Sequence, residues 1–323
     1  MPAERGHVLL AGATGTIGRA TCAEALAQGH DVTCLLRAPA PAGALPEGAR
    51  PLVAELKDTE TLAATLGTLP PISAVISCMA SRTGSPRDAW AVDHDAQLVL
   101  LRAAQGAGAA QFILLSAICV QKPLLEFQRA KLAFEEVLQA AALQWTIVRP
   151  TAFFKSLSGQ VARVQAGKPF LLFGDGTLTA CKPISDRDLA RYLVGCIGAP
   201  DRMGRILPIG GPGPALTPRA QGEMIFELAG HPPRFRQIPV AFMDAIIAGT
   251  ALLGRVSAAM ADKSEFARIG RYYATESMLV WDAAKGRYDA EATPEFGEDR
   301  LREHYAAMLR GEVSSGLGDH SVF

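Results

Sequence analysis

The chain has 323 residues and 49% apolar content, enough material for one large α/β unit or two smaller ones. Its 32 Lys and Arg equal its 32 Asp and Glu, so no bulk charge argues for nucleic acid or an anionic membrane surface as a partner. The six cysteines (Cys22, Cys34, Cys78, Cys119, Cys181, Cys196) are scattered without a Cys-x-x-Cys pair, and the six histidines show no ligand spacing. That fits a reducing cytoplasm better than a disulfide scaffold or a zinc site. No apolar run reaches the roughly 18 residues of a spanning helix, and Met1 to Gly6 lacks a signal core. The expectation is a soluble, cytoplasmic protein.

In chain order, a short apolar run from Val8 to Ala11 reads as a buried strand, and a glycine-punctuated turn follows it at once. Ile17 to Leu26 then carries a helical pattern that ends near Gln28-Gly29, where glycine suits a C-cap. Strand, glycine turn and helix together present free backbone N–H groups and a positive helix terminus to a pyrophosphate. The spacing is Gly-x-x-Gly-x-x-Gly (Gly12, Gly15, Gly18) and not the commoner Gly-x-Gly-x-x-Gly. The same three needs are met: a tight turn, close phosphate approach, and close packing of helix on strand. Thr14, Thr16, Ile17 and Arg19 belong to this turn and are expected to hold a dinucleotide with the glycines.

Asp31 to Leu36 reads as a second strand ending at Arg37, followed by a Pro/Ala/Gly loop to Arg50 and a third strand at Pro51 to Ala54. Thr59 to Gly67 is a short helix capped by Asp58, and Ile72 to Ser77 a fourth strand. Pro86 to Ala107 reads as one long helix, with Pro near its start and Gly at its end. Phe112 to Ser116 and Trp145 to Arg149 complete six strands, separated by a helix from Leu124 to Ala142. Such alternation predicts an α/β fold, a doubly wound parallel-sheet Rossmann domain.

Past Pro150 the pattern loosens. Gly167 to Asp186 is loop-rich, Asp186 to Cys196 is a helix, and Arg205 to Ile209 is a late strand able to rejoin the sheet. Thr217-Pro218 opens another helix in cap-then-proline order. Val240 to Ala261 is mostly apolar but interrupted by Asp244 and Arg255; it reads as a buried or lid helix, with contact at a membrane surface as the alternative. The expected division is a cofactor-binding core at 1–150 with 174–210 returning to it, a smaller, mostly helical substrate-binding region at 151–173 and 211–310, and a flexible tail at 311–323.

The cofactor type follows from charge. NAD sites usually place Asp or Glu about 20 residues past the glycines, on the ribose 2′-OH. Here Arg37 ends the second strand and Arg19 follows the last glycine. A carboxylate would repel a 2′-phosphate, whereas guanidinium grips it bidentately, so NADPH is expected over NADH.

The helix after the fifth strand holds Phe127-Gln128-Arg129-Ala130-Lys131, with Ser116 closing the strand before it. This resembles the short-chain dehydrogenase/reductase superfamily, whose catalytic helix bears Tyr-x-x-x-Lys with a Ser on the preceding strand. Residues four apart share a helix face, so the two side chains would address one cofactor. Lys131 and Ser116 match those positions, but the tyrosine position holds Phe127, and the first tyrosine in the chain is Tyr192. Ketone reduction makes an alkoxide that needs a proton donor. A chain lacking the phenol either binds the cofactor without turnover or reduces a C=C bond whose carbanion a large aromatic system can delocalise.

Longer blocks are more specific. Ser77 to Gly84, Leu115 to Leu124, Val148 to Leu157, Cys181 to Asp186 and Tyr272 to Met278 resemble the divinyl (proto)chlorophyllide a 8-vinyl reductase family, an atypical, NmrA-like branch of the superfamily. The resemblance implies an NADPH-dependent enzyme of (bacterio)chlorophyll synthesis that converts the 8-vinyl group of a divinyl chlorophyllide to ethyl, on a substrate carrying its own magnesium. It places the nicotinamide near Ser77, Ser116 and Lys131, with Pro150, Thr151 and Phe153 bordering it. Lys131 and Ser116 are the catalytic candidates; Cys119, Phe154, Lys155 and Tyr272 are the substrate-side candidates, with Lys155 or Arg163 as a partner for the propionate and a solvent-facing role as the alternative for either. Cys119, Ser116, Lys131 and a tyrosine of the second half stay open as proton donors. Oligomeric state and peripheral membrane contact are left open. Two other readings stand beside this one: a redox sensor that binds NADP without turnover, favoured by Phe127, and an isoflavone-reductase-like double-bond reductase.

Overall fold

The computed structural model describes residues 5–254 and 258–313, and side chains in all of these except 251–262. Most of the expected flexible tail, from residue 314 on, lies outside the described residues, as does Arg255.

The first half runs β1 (His7–Ala11), α1 (Thr16–Ala27), β2 (Asp31–Leu36), β3 (Arg50–Val53), α2 (Thr59–Leu66), β4 (Ile72–Ser77), α3 (Pro86–Ala89), α4 (Gln97–Gly106), β5 (Gln111–Leu115), α5 (Glu126–Gln139) and β6 (Gln144–Pro150). The second half runs α6 (Val161–Gln165), β7 (Phe170–Phe173), α7 (Asp186–Val194), β8 (Arg205–Ile209), α8 (Pro218–Leu228), β9 (Phe235–Ile238), α9 (Val240–Gly254), α10 (Ala258–Thr275), β10 (Val280–Asp282), β11 (Arg287–Asp289) and α11 (Leu301–Leu309). Seven strands form one parallel sheet in the order β3-β2-β1-β4-β5-β6-β8, so the chain reverses its direction of winding between β1 and β4. That switch point opens a crevice at the carboxyl ends of the strands, where Rossmann folds take their ligands.

The buried strands explain the layers. Every residue of β1 is buried, and alternate side chains leave on opposite faces. Val8 and Leu10 join Cys22 and Ala25 of α1 and Leu189, Leu193 and Val194 of α7. Leu9 and Ala11 join Leu62 and Leu66 of α2, Leu100 and Leu101 of α4, and Phe134 and Leu138 of α5. Each fully buried leucine contributes about 1.5–3 kcal/mol. Local chemistry starts the helices: Asp58 accepts from Thr61 N at 2.9 Å, Ser185 from Asp188 N at 3.0 Å, and Thr217 from Ala220 N at 3.2 Å.

Three stretches depart from the sequence pattern. The expected helix from 86 to 107 is interrupted by a π-helical segment, Trp90–Ala96, between α3 and α4. Its wider turn buries Asp93 beneath the helix that carries it. The loop-rich 167–186 stretch contains β7, which pairs in parallel with β9 in a separate two-stranded sheet. The apolar stretch from Val240 forms α9, which packs along α10. Phe242 and Ile246 of α9 and Phe266 of α10 are exposed. No helix among the described residues is long and apolar enough to cross a membrane.

Two further cores sit outside the sheet. One joins Phe127 and Ala130 of α5 to Ile118, Cys119 and, from α10, Ile269 and Tyr272. The other joins Phe154, α6, β7, α8 and α11.

Candidate active site

The glycine turn is shaped by backbone contact. Gly12 has φ +79°, and a Cβ there would meet the carbonyl of Cys78 at 2.6 Å. A Cβ on Gly18 would lie 2.1 Å from Gly12 O, so only glycine lets α1 close against the turn. Gly15 is the N-cap of α1 without a side-chain cap bond, and no acidic residue occupies the first turn. The helix therefore offers its N-terminal amides and positive end outward. A cleft of about 550 Å³ lies here, lined by Thr14, Gly15, Thr16, Arg19, Ala20, Ala23 and Pro46.

Charge gathers at this end. Arg19 donates through Nη1 to Gly43 O and Ala44 O at 3.0 and 3.1 Å, tying the loop after β2 to α1 while remaining exposed. Arg37 is exposed immediately beyond β2. Lys155, a substrate-side candidate, donates to Thr16 Oγ1 at 2.9 Å, because the 3₁₀ turn Lys155–Leu157 brings it to the glycine turn. Asp186 stands close enough to feel that ammonium; burial nevertheless pushes its carboxyl above the usual range. Burial likewise pushes the Cys78 thiol up to about 12.

The face between β4, β5 and α5 is built differently. Most of the polar groups expected there already have partners. Ser116 donates to Glu135, a fully buried residue of α5 that also receives Arg149 in an ion pair. Lys131 Nζ pairs with Asp93 Oδ1 at 2.8 Å, and Asp93 also accepts from the Ser81 amide and hydroxyl at 3.2 and 2.6 Å. Ser77 donates to Gln97 Oε1 at 2.7 Å. Thr151 donates to the Lys182 carbonyl, Pro150 is buried at the end of β6, and Phe153 packs against the sheet core.

The substrate-side residues divide in the same way. Tyr272 is buried, and its hydroxyl donates to Cys119 O at 3.0 Å and Lys122 O at 3.2 Å, so it lies within the wall and not on its surface. Phe154 is buried beside His304, with ring centroids 5.4 Å apart. Cys119 is buried, and burial raises its thiol; Gln128, Lys131 and Tyr273 surround it. Phe127, at the position of the superfamily's phenol, fills the core against Ile269: a Cβ on neighbouring Gly84 would sit 2.8 Å from Ile269 and 3.9 Å from the Phe127 ring.

Asp93, Glu135, Gln128 and Tyr273 were not singled out from the pattern. Glu135 had a local signal, since it lies four residues past Lys131 on one helix face. Asp93 had none, because a π segment re-aims it.

These features define a dinucleotide-binding Rossmann protein. A family model described as NAD(P)H-binding matches residues 12–200, more than half of the chain. The Escherichia coli NADPH-dependent quinone oxidoreductase QOR2, solved with NADPH, superposes with a TM-score of 0.68 at 16% identity, covering 94% of this chain and 99% of that one, and so shares the fold. At the level of sequence, the divinyl chlorophyllide a 8-vinyl-reductase of Zea mays is 46% identical over 100% of this chain and 84% of its own length. The enzyme of that name from Oryza sativa subsp. indica is 48% identical over 98% of this chain and 82% of its own. The chain belongs to the divinyl chlorophyllide a 8-vinyl-reductase family.

Proposed function

We propose that this protein reduces the 8-vinyl group of a divinyl chlorophyllide to ethyl, with NADPH as electron donor. The observation that carries this reading is the near-full-length relation to the maize and rice reductases, joined to an α5 that keeps Lys131 and replaces the superfamily's phenol by Phe127. A reductase of a C=C bond conjugated with a macrocycle makes no alkoxide, and so tolerates an apolar residue where ketone reductases need an acid.

The residues at the glycine turn fit the cofactor: a cradle that any Cβ at 12 or 18 would fill, and an uncapped helix terminus. Gly12, Thr14, Gly15, Thr16, Ile17 and Gly18 would enclose the pyrophosphate, with Lys155 adding positive charge beside Thr16. Arg19 and Arg37 would take the 2′-phosphate, which no carboxylate at the end of β2 opposes. Bound NADPH supplies the hydride. Lys131, held by Asp93, keeps a fixed ammonium near the nicotinamide ribose, bordered by Ser77, Ser116, Pro150, Thr151 and Phe153. The Ser116–Glu135–Arg149 network orients the end of β5 rather than handing a proton to substrate.

The pigment would lie against the wall that α5 and α10 share, where Cys119 and Tyr272 stand behind its surface and Phe154 further off. On this reading residues 1–150, with 174–210, hold the cofactor, and 151–173 with 211–310 shape the substrate side. A cytoplasmic setting is part of the proposal and rests on six free cysteines.

The test is anaerobic incubation of the purified protein with NADPH and divinyl chlorophyllide. The expected result is NADPH consumption in step with a product carrying an ethyl group. Binding of NADPH without consumption would make the protein a sensor, and turnover of a phenolic compound with the vinyl group untouched would make it an isoflavone-reductase-like enzyme.

A further inference from the structure

A carbanion conjugated with the macrocycle still has to be protonated, and the structure narrows which group can do it. The obvious donors near α5 are engaged or enclosed: Ser116 donates to Glu135, Lys131 is paired with Asp93, and the Cys119 thiol is buried. Three of the five tyrosines are also engaged. Tyr272 donates to two backbone carbonyls, Tyr288 to Glu276 and Tyr305 to Leu157 O. Tyr192 lies with α7 on the opposite face of the sheet from α5.

Tyr273 remains. It sits on α10, 37% exposed and stacked edge-on against Tyr272 at 5.8 Å, with the Cys119 thiol within electrostatic reach. Cys119 is in turn within electrostatic reach of Lys131. Gln128 is fully buried at the same spot, its Oε1 fixed by Leu124 N at 2.7 Å and Leu125 N at 3.0 Å and its amide beside Cys119 and Tyr272.

We propose that Tyr273 is the catalytic acid, so that the phenol absent from α5 is supplied by α10, beside the buried Gln128 amide. The inference rests on the vinyl-reductase reading. The Tyr273 O–H bond breaks and its proton goes to the inner vinyl carbon, using the electron pair freed when the cofactor's hydride adds to the terminal carbon. The C=C bond is reduced, the dihydronicotinamide is oxidised, and the Tyr273 phenolate, on a residue 37% exposed, regains its proton from water. A tyrosine phenol is protonated through neutral pH, as an acid must be.

The experiment compares Y273F and Y272F with the unaltered protein. Removing a general acid costs on the order of 10²–10⁴ in turnover, so Y273F is expected to lose at least about a hundredfold in kcat. NADPH and pigment dissociation constants, read by fluorescence quenching without turnover, should stay within about twofold. Y272F should lower thermal stability, because its hydroxyl bonds two backbone carbonyls. Because loss of the phenol can loosen α10, single turnover of the unaltered protein is also compared in H₂O and D₂O, and a slower step in D₂O is expected. Turnover of Y273F within about threefold of the unaltered protein, or equal single-turnover rates in the two solvents, overturns the assignment while leaving the vinyl-reductase reading intact. An unaltered protein inert toward the pigment overturns both.

Discussion

The two ends of the crevice are made of different material. At the glycine turn the shape comes from backbone: Gly12 in a left-handed conformation, Gly18 against Gly12 O, and helix amides left uncapped. At the α5 face it comes from side chains already bound to one another: Lys131 to Asp93, Ser116 and Arg149 to Glu135, Ser77 to Gln97. The first end presents backbone donors and a close-packed turn. The second is a pre-assembled frame in which each charge is fixed by a partner distant in the chain, and such a frame holds geometry at the expense of adaptability.

The largest effect expected from this contrast is at Asp93. D93A strands an ammonium that is only 11% exposed, and loss of one partner of a buried ion pair costs about 3–5 kcal/mol. Chemical denaturation should show it, and D93A/K131M should recover much of the loss; equal stability of D93A and the parent would break the picture of a preassembled frame. Next comes G18A. A Cβ 2.1 Å from Gly12 O forces the turn open, so NADPH affinity should fall more than tenfold while global stability drops by about 1–3 kcal/mol. Retained affinity would mean that the turn is not the cradle.

A charge reversal tests the same end more gently. R37D should shift preference from NADPH toward NADH by roughly tenfold, since carboxylate and 2′-phosphate repel; an unchanged ratio would move recognition to Arg19 or Lys155. On the other side, Y272F removes a hydroxyl that bonds two carbonyls and should cost about 1 kcal/mol, read as a small fall in Tm. The smallest effect is one of pH. Burial holds His304 below its ordinary value, so the folded state prefers the neutral ring. Its contribution is present above the ordinary value of 6.5 and is lost as pH falls through the depressed folded value. Tm should decline on that side, and H304Q should flatten the decline.

Much of the fold was legible in the residues. Buried strands such as Val8–Ala11, the caps Asp58 and Thr217, and the glycine spacing are local signals, and all lie where the pattern put them. The long helix 86–107 misled because a π segment has no distinct composition: Trp90 to Ala96 would suit an ordinary α-helix. The Lys155–Thr16 contact had no signal in the pattern, because the two residues are 139 apart in the chain. Tyr272 and Tyr273 are neighbours in the chain, yet one is buried with its hydroxyl on two carbonyls and the other is exposed; helix rotation separates them, and composition cannot.

The sequence by itself determined the α/β sheet, the cofactor cradle and the missing phenol at position 127, because each depends on short-range spacing or on a single residue's chemistry. Only the tertiary structure decided which charges neutralise which, and that α10 closes over α5 with Tyr273 at Cys119. Those outcomes depend on contacts between residues far apart in the chain, whose energies are set by burial and distance.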